Sequence, residues 1–241
     1  MSQSEEKMAL AKTRAQMIAT VLRYQGTDAA EQKLSEIAGA EGDEAVMEIA
    51  PHLSAVDVRN VTSEADVVKP SLLHSSIAPE QFRGIFRRVG AEWSSAEQED
   101  CQPYTLQGFQ EELKQFFCAF VLLNEDEIRR IELLKAVLEE PHGLDALAFS
   151  VIHEKDFPEF VASTSQTADF GDWREIIGIV RTNMPDQWER FLRITSFGDD
   201  HEKYIDFVHE TAAEIFAVAV SEGAAKRTEQ KEAENLFTPL S

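Results

Sequence analysis

Residues 201–210, "HEKYIDFVHE", bring two histidines, two glutamates and an aspartate into one short segment. On a helix, Glu202, Asp206 and His209 follow one another at steps of four and three, so they share a face. An aspartate three residues before a histidine is similar to the carboxylate and histidine pairs of di-iron bundles. His201 and His209 lie about 12 Å apart along a helix axis, so they cannot bind one ion.

Glu139 and His142 form a second carboxylate and histidine pair with the same spacing. The two pairs and the preceding glutamate supply the candidate ligands of a metalloenzyme hypothesis, which are Glu139, His142, Glu202, Asp206 and His209. A di-iron bundle needs two further inward glutamates, and Pro141 places His142 at a helix end. The pattern therefore favours ion-paired, solvated side chains over a metal site, and no cofactor is expected.

A near-copy of the first segment, "HEKDFPEF", lies at 153–160. His153 and Lys155 follow an apolar run and suit the negative carboxyl end of a helix, whereas Glu202 suits the positive amino end of another helix. The two copies are therefore expected at opposite ends of two helices. No fixed period runs through the chain, so a repeat array has no support.

Other catalytic motifs are absent from the sequence. It contains neither the glycine-rich loops that bind phosphates nor the G-x-S-x-G motif of hydrolases. Cys118 lies beside Phe116 and Phe117, which predicts a buried, unreactive thiol. Cys101 lies among acids that disfavour its thiolate. The residues favour binding over catalysis, without excluding an enzyme.

The basic island of the chain is "RGIFRR", which contains Arg83, Arg87 and Arg88. These arginines could bind an acidic partner or a phosphate, but pairing with nearby acids such as Glu80 is the favoured interpretation. Trp93 has no clear place on an amphipathic face, and tryptophan is a common interface anchor. The candidate partner-binding residues are therefore Arg83, Arg87, Arg88 and Trp93.

The charge of the chain restricts its partners. The 241 residues contain 44 Asp and Glu against 23 Lys and Arg, a formal net charge of −21. Such a surface repels phosphates and anionic lipids, so we expect neither direct nucleic-acid binding nor membrane insertion. The longest apolar run, "CAFVLL", is too short to span a membrane, and the acidic N-terminus is unlike a signal peptide. We therefore expect a cytoplasmic protein that attracts a protein partner with a basic face.

The first part of the chain carries short amphipathic helices. One helix ends at Gly26 and a second stops at Gly39. Elements of two turns or fewer follow, and another helix covers 79–90. The run at 43–89 is similar in rhythm to the superhelical regions of bacterial magnesium transporters and flagellar motor proteins. It includes no diagnostic motif, so the resemblance implies no function.

A polar, acidic stretch at 94–104 separates this part from a phenylalanine-rich one. Of the 15 phenylalanines, only Phe82 and Phe86 precede it, which favours two subdomains with separate cores. Beyond it, a long helix with an aromatic face meets a second helix capped at Asn124, and the tight turn predicts an antiparallel hairpin. The predicted division is an N-terminal helical subdomain at 1–93, a linker or surface loop at 94–104, a helical bundle at 105–223 and a charged tail at 224–241.

The sequence therefore predicts an all-α protein, with an N-terminal region of short helices followed by an antiparallel, Phe-rich helical bundle. The favoured function is a non-catalytic cytoplasmic adaptor, regulator or chaperone-like factor that acts through its acidic surface. The alternatives are the metalloenzyme and an acidic protein that mimics DNA. The identity of the partner and the oligomeric state are left open.

Overall fold

The computed structural model describes residues 3–62, 73–100, 106–163, 170–197 and 202–215. All regular structure in these ranges is helical, as predicted. The N-terminal helices are α1 (Gln3–Gln25), α2 (Thr27–Glu41), α3 (Asp43–Ile49), α4 (Ala55–Thr62) and α5 (Pro79–Asp100). The C-terminal helices are α6 (Leu106–Leu122), α7 (Glu127–Leu138), α8 (Gly143–Val151), α9 (Phe157–Ala162), α10 (Trp173–Asn183), α11 (Pro185–Ile194) and α12 (202–215). Within the described ranges, every helix is either too short or too polar to span a bilayer.

Glycines with positive φ end the first two helices. Gly26 follows α1 with φ of 91°, and Gly42 follows α2 with φ of 89°. Glycine adopts this left-handed backbone without the steric cost that a Cβ brings. The predicted end of α2 at Gly39 is wrong, because Gly39 continues the helix.

Helix α5 extends to Asp100, past its predicted end at Gly90. One glycine inside a helix costs only about 1 kcal/mol, and the alanines, glutamates and glutamine that follow are good helix formers. Residues 94–100 are therefore helical and do not form the predicted loop, while residues 101–105 lie outside the described part. The subdomain boundaries stay a prediction.

The buried apolar side chains form one connected cluster that reaches from α1 to α12. Helix α5 joins the N-terminal and C-terminal parts of this cluster, because the ring of Phe82 on α5 stacks on that of Phe116 on α6 with 5.1 Å between centroids. Phe86 lies 6.3 Å from Phe117 by the same measure. The inward aromatic face predicted for α6 is confirmed, whereas separate cores are not found among the described residues.

The turn between α6 and α7 is closed by a buried amide. Asn124 is 2% exposed and donates to the carbonyl oxygens of Phe120 and His74. The N-cap of α7 is instead Asp126, whose carboxylate accepts from the backbone N–H of Ile128 at 2.9 Å. The predicted cap at Asn124 is wrong, because its amide donates to two buried backbone carbonyls instead of capping α7.

Candidate functional site

The candidate metal ligands taken from the sequence do not gather at one point. Glu139 lies at the end of α7, where its carboxylate is 3.6 Å from a guanidinium nitrogen of Arg83. Glu202, Asp206 and His209 are exposed on α12. Among the described residues, no group with metal-ligand spacing includes any of these side chains.

The remaining candidate ligand, His142, connects the turn before α8 to α12. Its backbone is left-handed, with φ of 62°. Its Nδ1 lies 2.8 Å from Glu214 Oε2 and 3.9 Å from Asp145 Oδ2. Sequence reasoning missed Glu214, because spacing along α12 does not reveal which neighbouring helix the residue faces.

The arginines of the basic island contact the end of α7. Arg87 forms a bidentate pair with Glu140, with nitrogen to oxygen distances of 2.6 and 3.0 Å. Arg83 lies 3.0 Å from the same carboxylate and donates to the carbonyl of Ala136. Pairing within the chain was the favoured interpretation, but the partners directly follow a neighbouring helix and are not one turn away on α5. Partner binding by Arg83, Arg87 and Arg88 stays a prediction.

The structure describes the side chains of Trp173 and Trp188 but not that of Trp93. Trp93 lies in α5, but its side chain falls outside the described part, so its role as an anchor stays a prediction. Trp173 is 5% exposed. Trp188 stacks on Phe191, with 5.5 Å between ring centroids, and the guanidinium of Arg181 lies 4.6 Å from its ring centroid. Trp173 and Trp188 therefore pack between helices.

A different carboxylate and histidine group assembles between α6 and the turn after α8. Glu111, His153 and Glu154 each offer one ligand atom, and these atoms all lie within 4.8 Å of one another. Lys114 connects the two glutamates, because its Nζ lies 2.6 Å from Glu111 Oε2 and also contacts Glu154 Oε1. We call Glu111, Lys114, His153 and Glu154 the α6–α8 cluster.

One helix face and one helix end create this cluster. Its two α6 members are three residues apart and share a face, and its other two members follow α8 directly. The buried side-chain amide of Gln110 on α6 donates to the carbonyl of Phe149 on α8 at 2.9 Å. The rings of Phe109 and Phe149 lie 5.6 Å apart. These contacts hold the two parts of the cluster in a fixed relation.

Lys114 determines the charges of the cluster. Burial lowers the pKa of Lys114, but hydrogen bonds with Glu111 and Glu154 outweigh this effect and leave the pKa raised. Burial likewise raises the pKa of Glu111, but hydrogen bonds from Lys114 and Gln115 outweigh it and leave that pKa lowered. At neutral pH the cluster therefore contains an ammonium group facing ionised glutamate.

The histidine of the cluster makes no hydrogen bond with the described residues. Its Nε2 lies 3.6 Å from Glu154 Oε1, and its Nδ1 is buried without a partner. Burial lowers the pKa of His153, and the charge of Lys114 acts in the same direction against that of Glu154. The imidazole is therefore neutral at neutral pH, which is the form that binds metal ions.

Cys118 lies one turn beyond Lys114 on α6. Burial raises the pKa of its thiol to about 12, and the charge of Asp172 adds to the effect. A thiol with this pKa stays protonated at neutral pH and is a poor nucleophile, as predicted. Cys101 lies outside the described residues.

Helix α12 carries a second acidic surface. Val208, Ala212 and Ile215 are buried against the core, while Glu202, Asp206 and Glu210 follow one another at steps of four and are exposed. We call these three residues the α12 ridge. None of them has an ion-pair partner in the part of the chain that the structure describes. Like charges at this spacing destabilise a helix by about 0.2–0.5 kcal/mol per pair.

An open groove of about 400 Å³ lies where the end of α1 meets α4. Its lining residues are Ala19, Leu22, Arg23, Thr27, Val56, Asp57 and Asn60. Asp57 already accepts a hydrogen bond from the Ser54 hydroxyl at 2.6 Å, which helps to begin α4. The lining includes no histidine or cysteine and one carboxylate, so it resembles neither a metal nor a nucleophile site.

Comparison with known proteins yields no relative from which a function could be taken. No family model, curated protein or solved structure matches this chain significantly. The functional interpretation therefore depends on the geometry of the sites.

Proposed function

We propose that this chain is a non-catalytic cytoplasmic binding protein, such as an adaptor, a regulator or a chaperone-like factor. In this proposal the α12 ridge contacts a protein with a basic face. The observation that supports it is the row of three exposed carboxylates that have no ion-pair partner among the described residues.

The ridge differs from other charged faces of the chain. On α2, Lys33 lies 2.6 Å from Glu36, and comparable pairs with i,i+3 or i,i+4 spacing occur on α7 and α11. Each such pair neutralises its surface locally. The ridge keeps adjacent carboxylates together at a small cost in helix stability. Arginine or lysine side chains of a partner would replace this repulsion with attraction.

The physics predicts how such a complex responds to salt. Complementary charges accelerate association, and the effect falls as the Debye length shrinks to about 8 Å at physiological ionic strength and about 3 Å at 1 M salt. Binding through the ridge should therefore weaken on addition of salt, mainly through a slower association rate.

Affinity capture from the native cell extract, at low and high salt, tests this proposal. The ridge variant carries Glu202→Gln, Asp206→Asn and Glu210→Gln. The control variant carries Glu44→Gln, Glu80→Gln and Glu127→Gln, which removes three exposed acids from three other helices. We expect one dominant protein that wild type and control retain at low salt, that high salt releases, and that the ridge variant fails to retain. Equal retention by both variants, or indifference to salt, would refute the proposal.

The two alternative functions have less support. The acids of α2, α7 and α11 alternate with bases, which is unlike a continuous track of phosphates. DNA mimicry stays a prediction, and release of the captured partner by duplex DNA would favour it over an adaptor. The metalloenzyme hypothesis relied on five ligands that the fold disperses, so we do not propose it.

A further inference from the structure

The α6–α8 cluster combines the donors and the spacing of a metal site. Glu111, His153 and Glu154 provide two carboxylate oxygens and one imidazole nitrogen, all within 4.8 Å of one another. Metal bonds to such donors measure about 2.0–2.2 Å, which places neighbouring ligand atoms roughly 3.4 Å apart in a tetrahedral site. Small side-chain rotations would therefore bring these atoms to coordination distance.

The imidazole supplies a second, independent observation. A buried polar atom without a partner costs about 1–3 kcal/mol, and buried groups of this kind are nearly always bonded. Nδ1 of His153 is buried and has no partner, while Nε2, the nitrogen beside the carboxylates, lies 3.6 Å from Glu154 Oε1, which is too far for a hydrogen bond. A metal ion bound at Nε2 would therefore displace no hydrogen bond that the imidazole makes with the described residues.

The cluster already holds a cation of the protein's own. The ammonium of Lys114 contacts both Glu111 and Glu154, and the lysine side chain is 17% exposed. Lysine has a flexible stem and binds as a point charge, so it can withdraw into water when a stronger ligand arrives. A divalent ion would bring twice the charge to the same two carboxylates.

The donor set selects the class of ion. Two carboxylates and one imidazole suit borderline divalent ions such as zinc, iron and manganese, with water completing the coordination. Zinc is the strongest binder of these three in the usual affinity order, so it is the best probe. The fixed joint between α6 and α8 keeps the donors together before the ion binds.

We propose that Glu111, His153 and Glu154 form a binding site for a divalent transition-metal ion, and that Lys114 is a built-in competitor for its two carboxylates. The site is separate from the α12 ridge and requires no catalysis. Removing the competitor should therefore strengthen metal binding, which a purely structural ion-pair network would not do.

Calorimetric titration of the full-length, tag-free, chelator-treated protein with zinc chloride tests this site. We expect Lys114→Gln to bind zinc at least about tenfold more tightly than wild type, the effect of removing roughly 1.4 kcal/mol of competition. Lys135→Gln is the matched control, because Lys135 is exposed on α7 without an ion-pair partner among the described residues. Equal affinities for the two variants would overturn the proposal.

A second pair of variants locates the bound ion. In the Lys114→Gln background, His153→Gln should weaken zinc binding at least about tenfold, whereas His209→Gln, which removes an exposed histidine of α12, should not. The reverse result would assign the ion to the surface and reject the site. If Lys114→Gln does not fold, zinc must still raise the Tm of wild type and leave that of His153→Gln unchanged. Failure of that shift would also reject the site. None of these measurements involves the proposed partner of the ridge.

Discussion

Two acidic surfaces of the C-terminal helices show how differently the same residue type can be placed. In the α6–α8 cluster, Lys114 connects Glu111 and Glu154, and the histidine beside them is largely buried. On the α12 ridge, the carboxylates point into solvent and have no cation partner among the described residues. A net negative charge therefore does not indicate which acids are available to a partner. Packing decides that.

The repeated tripeptide "HEK" makes the same point on a smaller scale. In the first copy, His153 and Glu154 follow α8 and pack against α6. In the second copy, Glu202 and Lys203 belong to the first turn described for α12 and are exposed, while His201 lies outside the described residues. The first copy lies at a helix end, as predicted. The predicted helix start at the second copy falls at the edge of the described residues and stays a prediction. Their surroundings have nothing in common.

The largest expected effect comes from breaking the support of the α6–α8 cluster. A Cβ added at Gly143, the first residue of α8, would lie 1.9 Å from the backbone oxygen of Val137, which cannot move aside. We expect Gly143→Ala to lower the free energy of unfolding by about 3 kcal/mol or more in urea denaturation. Gly39→Ala is the matched control, because a Cβ there meets nothing within 4 Å. It should raise stability by about 0.5–1 kcal/mol. A small loss in Gly143→Ala would show that α8 begins differently.

A smaller effect should separate the partnered acids from the exposed ones. Lys114→Met leaves two part-buried glutamates without their cation, so we expect a loss of about 1–3 kcal/mol in the free energy of unfolding, measured with chelator present. Lys135→Met removes an exposed lysine of α7 and should change stability by less than about 0.5 kcal/mol. Similar values for the two variants would mean that the cluster contributes no more than a surface pair.

The contact between α8 and α12 predicts a pH effect. Burial raises the pKa of Asp145 above its usual 3.8, and the charge of Glu214 adds to the effect against that of His142. The folded protein therefore binds this proton more tightly than the unfolded chain. Stability falls as the pH rises from 3.8 through the raised pKa, and the loss persists at neutral pH. Asp145→Asn should remove this fall and be more stable than wild type at neutral pH by roughly 0.5 kcal/mol. Parallel curves of stability against pH for the two proteins would contradict this prediction.

The smallest effects should have opposite signs on one helix. Asp206→Asn relieves repulsion from two neighbouring carboxylates of the ridge and should stabilise by about 0.2–0.5 kcal/mol at low salt. Glu214→Gln weakens the 2.8 Å contact with His142 and should destabilise by a similar amount. Thermal unfolding at low and at 1 M salt measures both, and both differences should shrink at high salt. Equal signs would mean that the exposed and the partnered acids of α12 are energetically alike.

Local patterns predicted much of the fold. The aromatic face of α6 and the glycine after α1 were both expected, because each depends on residues within one or two turns. The errors occur where distant residues intervene. Asn124 is a residue type that commonly caps helices, yet its buried amide donates to the carbonyl oxygens of Phe120 and His74. Gly39 was expected to end α2, but the helix continues through it and ends two residues later, before Gly42.

The candidate sites depended still more on distant contacts. The sequence placed metal ligands by their spacing within one helix, and those residues lie exposed or bound to other partners. The group with ligand spacing joins a face of α6 to the turn after α8, which no single-helix periodicity connects. Its members were visible in the sequence, but their proximity was not.

The sequence by itself determined the all-α architecture, the excess of acids and the phenylalanine-rich core, because helical periodicity and composition are local or summed properties. Only the tertiary structure decided that Lys114 pairs with Glu111 and Glu154, while the acids of the α12 ridge have no ion-pair partner among the described residues. The reason is that the charge of a side chain is a property of the residue. Its partner is a property of how helices far apart in the chain pack together.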